Sequence, residues 1–208
     1  MGQIVISTNA TLDGVVEDPD GTEGFRHGGW FGRFGGKDRD QWAKIMLAEA
    51  LDASALLLGR RTDEWFAARW ASRTGEWADR LNSMPKYVVS ATGAEPRWSN
   101  STLLTGDAVG AVAKLKQELA GDIIVYASYR LGRELIARDL VDELRLTVFP
   151  VVLGAGWRLF GDTGGTGDTG DTGDPKPMRL VRTQTVGDNL ALLTYRADVA
   201  ASAELTTG

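Results

Sequence analysis

The order of the apolar runs constrains this chain most. Ile4 to Ser7, Ala53 to Leu58, Lys86 to Ser90, Thr102 to Leu104 and Ile123 to Tyr126 read as short strands, and stretches with helical spacing fall between them. An unbroken run such as Ala53 to Leu58, closed by Gly59, suits a central parallel strand covered on both faces. After about residue 140 the helical stripes stop. Val141 to Val152 reads as a strand broken or ended by Pro150, and Leu180 to Val186 and Leu190 to Tyr195 form a pair around Gly187-Asp188-Asn189. Alternation followed by strands alone predicts an α/β sandwich with a mostly parallel sheet and an antiparallel hairpin at one edge.

The helical stretches carry their own start signals. Asp38 or Asp40 can cap a helix to about Leu51, with Trp42, Ile45, Met46 and Glu49 at helical spacing. Arg60-Arg61-Thr62 opens one bearing Trp65 and Phe66, and a short one runs from Gly75 to about Asn82. Asp107 caps the clearest helix, which buries Val109, Val112, Leu115 and Leu119 and ends at Gly121. Ser128 can cap the next, with Leu131, Leu135 and Ile136. From Gly24 to Gly36, six glycines alternate with Phe25, His27, Trp30, Phe31 and Phe34, so the stretch reads as a loop. It is either a surface loop pinned by its aromatics or a wall of a small-molecule pocket, with His27 and Trp30 facing substrate.

Composition removes several chemistries. The chain of 208 residues has no Cys and one His, which excludes disulfides, thiolate metal sites, Cys nucleophiles and multi-His metal centres. A net charge of −5 argues against generic binding to nucleic acid or anionic membrane. No apolar run reaches the length of a membrane span, and the N-terminus lacks a signal-peptide pattern, so cytoplasm is the expected location. The Gly-Asp-Thr-Gly tetrads between Gly161 and Asp174 lack the long array and periodic apolar residue of calcium-binding repeats, and read as a flexible insertion in a single domain of residues 1–199. Residues 200–208 read as a frayed tail.

Ligands of open α/β sheets bind beyond the carboxyl ends of the strands. Gly59-Arg60-Arg61-Thr62 joins a strand to a helix start and adds guanidinium groups and a hydroxyl, which suits a phosphate, although both Arg residues can equally be solvated surface charge. Ser90-Ala91-Thr92-Gly93 places two hydroxyls after another strand, or is simply a turn. Asp13, between Leu12 and Gly14, is either a turn former or a carboxylate at the site.

Five segments stand in an order that resembles dihydrofolate reductase-like proteins: Thr11-Leu12-Asp13-Gly14-Val15-Val16, Leu58 to Thr62, Pro85 to Ser90, Asp139 to Leu144, and Phe149 to Phe160. The branch most similar is the C-terminal reductase domain of the bifunctional riboflavin-biosynthesis deaminase-reductase, over roughly residues 3 to 196. The resemblance implies a three-layer α/β fold, a homodimer, and NADPH as cofactor for hydride transfer to a small C=N or C=O substrate. It puts Gly59, Arg60, Arg61 and Thr62 at the cofactor phosphates and Ser90 and Thr92 near the adenosine 2′-phosphate. Tyr126, Ala127, Ser128 and Tyr129 fall at the nicotinamide and pyrophosphate, and Asp13 near the nicotinamide as the catalytic carboxylate. No metal is expected. The chain departs from the family at Ala127-Ser128-Tyr129, where a Gly-Ser-Gly-like turn is common, which keeps open a non-catalytic nucleotide- or ligand-binding protein. A protein-interaction module would rest on the seven Trp, which core packing and pocket walls explain more simply.

Overall fold

The computed structural model describes residues 1–160 and 175–198. The Gly/Asp/Thr repeat at 161–174 and the tail from 200 lie outside the described residues. Eight strands are described: β1 (Gln3–Thr11), β2 (Ala55–Gly59), β3 (Lys86–Val89), β4 (Ser101–Leu104), β5 (Asp122–Tyr126), β6 (Glu143–Phe149), β7 (Met178–Val186) and β8 (Leu190–Ala197). They form one sheet in the order β4-β3-β2-β5-β1-β6-β8-β7. The first six run parallel, β8 is antiparallel to β6, and β7 closes the edge as its hairpin partner. The expected mostly parallel sheet with a terminal hairpin is what forms.

Consecutive residues in the central strands are buried, as a sheet covered on both faces requires. Ile4, Val5, Ile6, Leu56, Leu57, Leu58, Ile123, Ile124 and Val125 are all fully buried. Each such side chain contributes about 1.5–3 kcal/mol relative to an exposed one. Alternate residues feed two cores. Ile4, Ile6, Leu57 and Val125 pack with Val112 and Leu115 of α5 (Ala108–Glu118) and Leu135 of α6 (Tyr129–Ala137). Val5, Leu56, Leu58 and Ile124 pack with Ala50 of α2 (Asp38–Asp52), Phe66 of α3 (Arg60–Trp70) and Leu81 of α4 (Glu76–Ser83). The molecule therefore has three layers.

Four local expectations change. β1 runs to Thr11 rather than Ser7, because β6 pairs with Val5 through Thr11 and so holds the polar residues Thr8 and Asn9 in the ladder. The glycine-rich stretch contains a short helix, α1 (Trp30–Gly35), whose Trp30 and Phe31 join a third core cluster with Phe149. Neither Asp38 nor Asp40 caps α2. The cap position is Lys37, and the Asp38 carboxylate instead accepts from the backbone N–H groups of Asp188 and Asn189, so it fixes the β7–β8 turn. Asp107 does cap α5, accepting from Gly110 N at 3.0 Å. Ser128 occupies the cap position of α6 without making a cap bond, because its hydroxyl is engaged across the sheet.

A buried polar network locks the sheet to α2. Arg145 of β6 donates to Glu143 Oε1 (2.7 Å), Asp122 Oδ2 (2.8 Å) and Glu49 Oε2 (3.0 Å), and Arg196 Nε reaches Glu143 Oε2 at 2.9 Å. Burial works against the Arg145 charge, but the Glu49 carboxylate and its neighbours hold the proton more tightly than usual. Burial raises the Glu143 pKa, but its bonds to Arg196 and Arg145 outweigh that and leave it below its ordinary value.

Candidate functional site

β2 and β5 are neighbours, so the junctions at their carboxyl ends lie side by side. At the first, Gly59 leaves β2 with extended backbone (φ −78°, ψ 154°) and α3 begins without a side-chain cap. At the second, Ala127 and Ser128 take left-handed values, φ 48° and 41°, before α6 begins, also uncapped. Two helix starts with unpaired N–H groups thus sit together, each carrying partial positive charge. Ser128 ties them: its hydroxyl accepts from Gly59 N at 3.0 Å and donates to Thr62 Oγ1 at 2.9 Å. A Cβ at Gly59 would meet Ser128 Oγ only at 3.7 Å, so the glycine is not forced by packing. Its bareness leaves the helix start uncovered.

The cations around this cradle differ. Arg60 is half-exposed and ion-paired with Glu64 at 2.6 Å. Arg61 is exposed, and its charge acts on Glu23 and Tyr129. Ser90, at the end of β3, is buried and shares a 3.2 Å hydrogen bond with the hydroxyl of exposed Thr92. Asp63, fully buried in the first turn of α3, accepts from Arg97 N (2.6 Å) and Trp98 N (3.3 Å) and so fixes the connection that follows Ser90. Nothing in the sequence pattern singled out Asp63, since its partners are 34 and 35 residues away.

Tyr129 packs edge-on against Trp157 (5.2 Å), borders the core under α6, and accepts from Arg130 Nε at 3.1 Å. Its ring therefore belongs to the wall made by the 150–160 loop. Tyr126 meets the site only through its backbone. Its side chain stacks on Phe66 at 6.2 Å, and its hydroxyl is buried beside the Glu49 carboxylate. Burial, and then the Glu49 charge, push that hydroxyl well above its ordinary pKa, and neither Tyr126 Oη nor Glu49 Oε1 closes a bond of ordinary geometry.

Asp13 is fully engaged. Its carboxylate accepts from Thr11 Oγ1 (2.6 Å), Leu153 N (3.2 Å) and Gly154 N (2.9 Å), and Arg158 lies 3.5 Å away. Burial raises its pKa, but the Thr11, Gly154 and Leu153 bonds outweigh that and leave it below the ordinary 3.8. The residue clasps the end of β1 to the 150–160 loop and is poorly suited to giving up a proton. Trp30, expected to face substrate, is fully buried and donates its indole N–H to Glu17 O at 2.8 Å, which makes it a core residue. His27 is half-buried, edge-on to Phe25 at 5.5 Å. The loop between them is organised by acids: Asp18 accepts from Glu23 N and Phe25 N, and Asp20 accepts from Trp65 Nε1 and Arg69 Nη2 of α3. The loop thereby lies against α3.

Among the described residues no cluster of metal-ligating side chains is present, and no helix is long and apolar enough to cross a membrane. The cavity at the far end of the sheet, about 170 Å³ beside Ile136 and Met178, gathers no such polar groups beyond the Lys176–Asp139 ion pair.

Strand order, the parallel-to-antiparallel change at β8 and the two strand-end helix starts define a dihydrofolate reductase-like α/β protein. A family model described as the RibD C-terminal domain matches residues 3–192, and the chain belongs to that family. A Bacillus subtilis relative, the uncharacterized protein YyaP, is 40% identical over 116 residues, covering 55% of this chain and 56% of its own length. The chain thus spans little more than half of that relative. Among solved structures, a putative riboflavin biosynthesis protein from Shewanella sp. PV-4 superposes with a TM-score of 0.69 at 20% identity, over 94% of this chain and 99% of its own. A pyrimidine reductase-like protein from Corynebacterium diphtheriae gives 0.64 at 11% identity, over 94% and 92%.

Proposed function

We propose that the chain is an NADPH-dependent reductase that delivers hydride to a small-molecule C=N or C=O substrate. The observation that carries this reading is the paired, uncapped helix starts of α3 and α6, stitched by Ser128 and flanked by exposed Arg61. Backbone N–H groups of two helices and one open guanidinium match a pyrophosphate and an additional phosphate better than they match an uncharged ligand. The family's reductase neighbours support the same chemistry.

On this reading Gly59, Thr62, Ala127 and Ser128 hold the pyrophosphate, and Arg61 with Ser90 and Thr92 reads the 2′-phosphate. Bound NADPH supplies the hydride; the protein supplies position and dryness. Asp13 acts as a positioning residue that fixes the end of β1 against the 150–160 loop. The proton accompanying hydride comes from another donor, because the Asp13 carboxylate is held ionised. The non-catalytic alternative rested on the departure at Ala127-Ser128-Tyr129. The backbone there keeps a left-handed, glycine-like path and the Tyr129 ring packs on Trp157, so that motive weakens.

The test is a fluorescence titration with NADPH and NADH, followed by NADPH consumption against a panel of carbonyl and imine acceptors. NADPH should bind about tenfold or more tightly than NADH, a difference of about 1.4 kcal/mol or more. Equal affinities overturn the assignment of the 2′-phosphate contacts, and absence of binding overturns the reading as a whole.

A further inference from the structure

Arg60 and Arg158 are each closed by a carboxylate of the chain, Glu64 at 2.6 Å and Asp13 at 3.5 Å. Arg130, in the first turn of α6, is exposed and has no carboxylate partner among the described residues. Its guanidinium instead lies over the Trp157 ring at 4.6 Å, and its Nε donates to Tyr129 Oη at 3.1 Å. The Nη groups have no acceptor among the described residues. The platform beneath is pinned. Trp157 N donates to Glu17 Oε2 at 2.8 Å, Trp157 O accepts from Val16 N at 2.8 Å, and the Tyr129 ring meets the indole edge-on at 5.2 Å.

A helical side chain leans toward the start of its helix, so Arg130 inclines over the left-handed turn at Ala127 and Ser128. Arg61 stands at the neighbouring helix start. The two charges act at one point between the junctions. Burial holds the Tyr129 hydroxyl above its ordinary pKa, while Arg130 and, from across the junction, Arg61 pull it down. Strand order gives the two cations different surroundings. Arg61 follows β2, whose outer neighbour β3 ends at Ser90 and Thr92. Arg130 follows β5, whose other neighbour is β1, and it touches the 150–160 loop through Trp157.

We propose that Arg130, held over Trp157, is a second phosphate-binding guanidinium and takes the pyrophosphate of the dinucleotide cofactor. The inference rests on the reductase reading above and adds a residue that reading does not use. The Nη groups of an Arg form a fixed fork that matches two phosphate oxygens. In Arg130 the Nε–H is spent on Tyr129 and that fork stays free. A guanidinium already seated on a ring has less freedom to lose when an anion arrives. The uncapped N–H groups of α6 favour negative charge at the same place. Position divides the work. Arg61, toward Ser90 and Thr92, reads the 2′-phosphate that only NADPH carries. Arg130 serves NADPH and NADH alike, because both carry the pyrophosphate. Through Trp157 the 150–160 loop becomes part of the cofactor site.

The probes are NADPH, NADH and inorganic pyrophosphate, titrated by calorimetry into the full chain at one ionic strength. Arg130→Ala should weaken all three by the same factor, about tenfold, the loss of one charge-assisted contact. The melting temperature should not move, because the position is exposed. Arg130→Lys keeps the charge without the fork and should restore only part of the loss. Trp157→Leu removes the platform, and it should weaken the three ligands in the unaltered chain but add nothing to Arg130→Ala. Arg179→Ala removes the same charge from the exposed edge strand β7 and should change none of them. Arg130→Ala without effect overturns the proposal. A loss confined to NADPH overturns it too, by moving Arg130 to the 2′-phosphate, and an equal loss from Arg179→Ala overturns it by reducing the effect to net charge. The two readings fail separately. Arg130-dependent pyrophosphate binding in a chain that takes neither dinucleotide breaks the reductase reading alone, and dinucleotide binding that survives Arg130→Ala intact breaks the Arg130 proposal alone.

Discussion

Asp13 and Arg61 stand at the same end of the sheet, and the family pattern draws attention to both. Their surroundings are opposite. Every donor around the Asp13 carboxylate comes from the chain itself, with Thr11, Leu153 and Gly154 within 3.2 Å. Arg61 is exposed beside two uncapped helix starts. A group whose bonds are closed by its own protein shapes the fold, whereas one left open at a positively polarised junction is ready for a ligand. The largest expected effects on stability therefore belong to Asp13, and the clearest effects on ligand selectivity to Arg61.

Asp13→Ala should be the most damaging change. It strips the acceptor from one hydroxyl and two backbone N–H groups, at a cost of about 2–3 kcal/mol once the exposure of Gly154 is discounted. Chemical denaturation checks this, and a loss under about 0.5 kcal/mol, the size of an ordinary surface change, makes Asp13 a bystander in the fold. The pH dependence has a definite sign. The folded pKa lies below the unfolded one, so the stabilisation is present above the unfolded value, about 3.9, and fades as pH falls through the lower folded value. Asp13→Asn should flatten the acid limb of the stability curve in that window, and an unchanged limb removes Asp13 from it.

Ser128→Ala comes next. It takes away the acceptor of Gly59 N and the partner of Thr62 Oγ1, for about 1–2 kcal/mol. Because the same hydroxyl holds the two helix starts together, NADPH affinity should fall with it. A double-mutant cycle with Thr62→Val should give a coupling of about 0.5 kcal/mol or more. Strict additivity would show that the two junctions are independent, and the contrast with Asp13 would lose its second half.

The sequence made the sheet legible because buried strands announce themselves locally. Ala53 to Leu58 and Ile123 to Tyr126 are apolar runs closed by turn residues, and both sit in the sheet centre. Polar residues are less legible, since their role depends on partners far along the chain. Asp38 looked like a helix cap and serves a turn 150 residues away. Ser128 looked like a cap and instead bonds Gly59 and Thr62, 69 and 66 residues away. Trp30 looked like a pocket wall and is core, because Phe149 and Glu17 O, both outside its own segment, receive it. A cleft walled by Trp42, Trp65, Trp70 and Trp77 is visible in the sequence only as an excess of tryptophan, since convergence of α2, α3 and α4 is a tertiary fact.

Arg61→Ala sharpens the contrast from the other side. The side chain is exposed, so stability should stay within about 0.5 kcal/mol. NADPH should bind roughly tenfold more weakly, about 1.4 kcal/mol, and NADH should be unaffected. Equal losses for both cofactors would assign Arg61 to the pyrophosphate rather than to the 2′-phosphate.

The smallest effect is expected at Ala127, and its sign is informative. Ala127 and Ser128 both hold left-handed backbone, at φ 48° and 41°. For a residue with a Cβ that conformation costs about 1–2 kcal/mol. Glycine adopts it freely but surrenders more freedom on folding, which returns roughly 0.5–1 kcal/mol. Ala127→Gly should therefore stabilise by about 0.5–1 kcal/mol, a rise of about 1–4 °C in melting temperature for a chain of this size. NADPH affinity should not change, because the path of the turn is already the one glycine would take and the Ser128 bonds to Gly59 and Thr62 hold it there. A fall in melting temperature would mean that the alanine methyl contributes packing worth more than the strain. A rise in affinity would mean that the methyl crowds the cofactor, and the turn at β5 would then be only partly open, closer in kind to Asp13 than to Arg61.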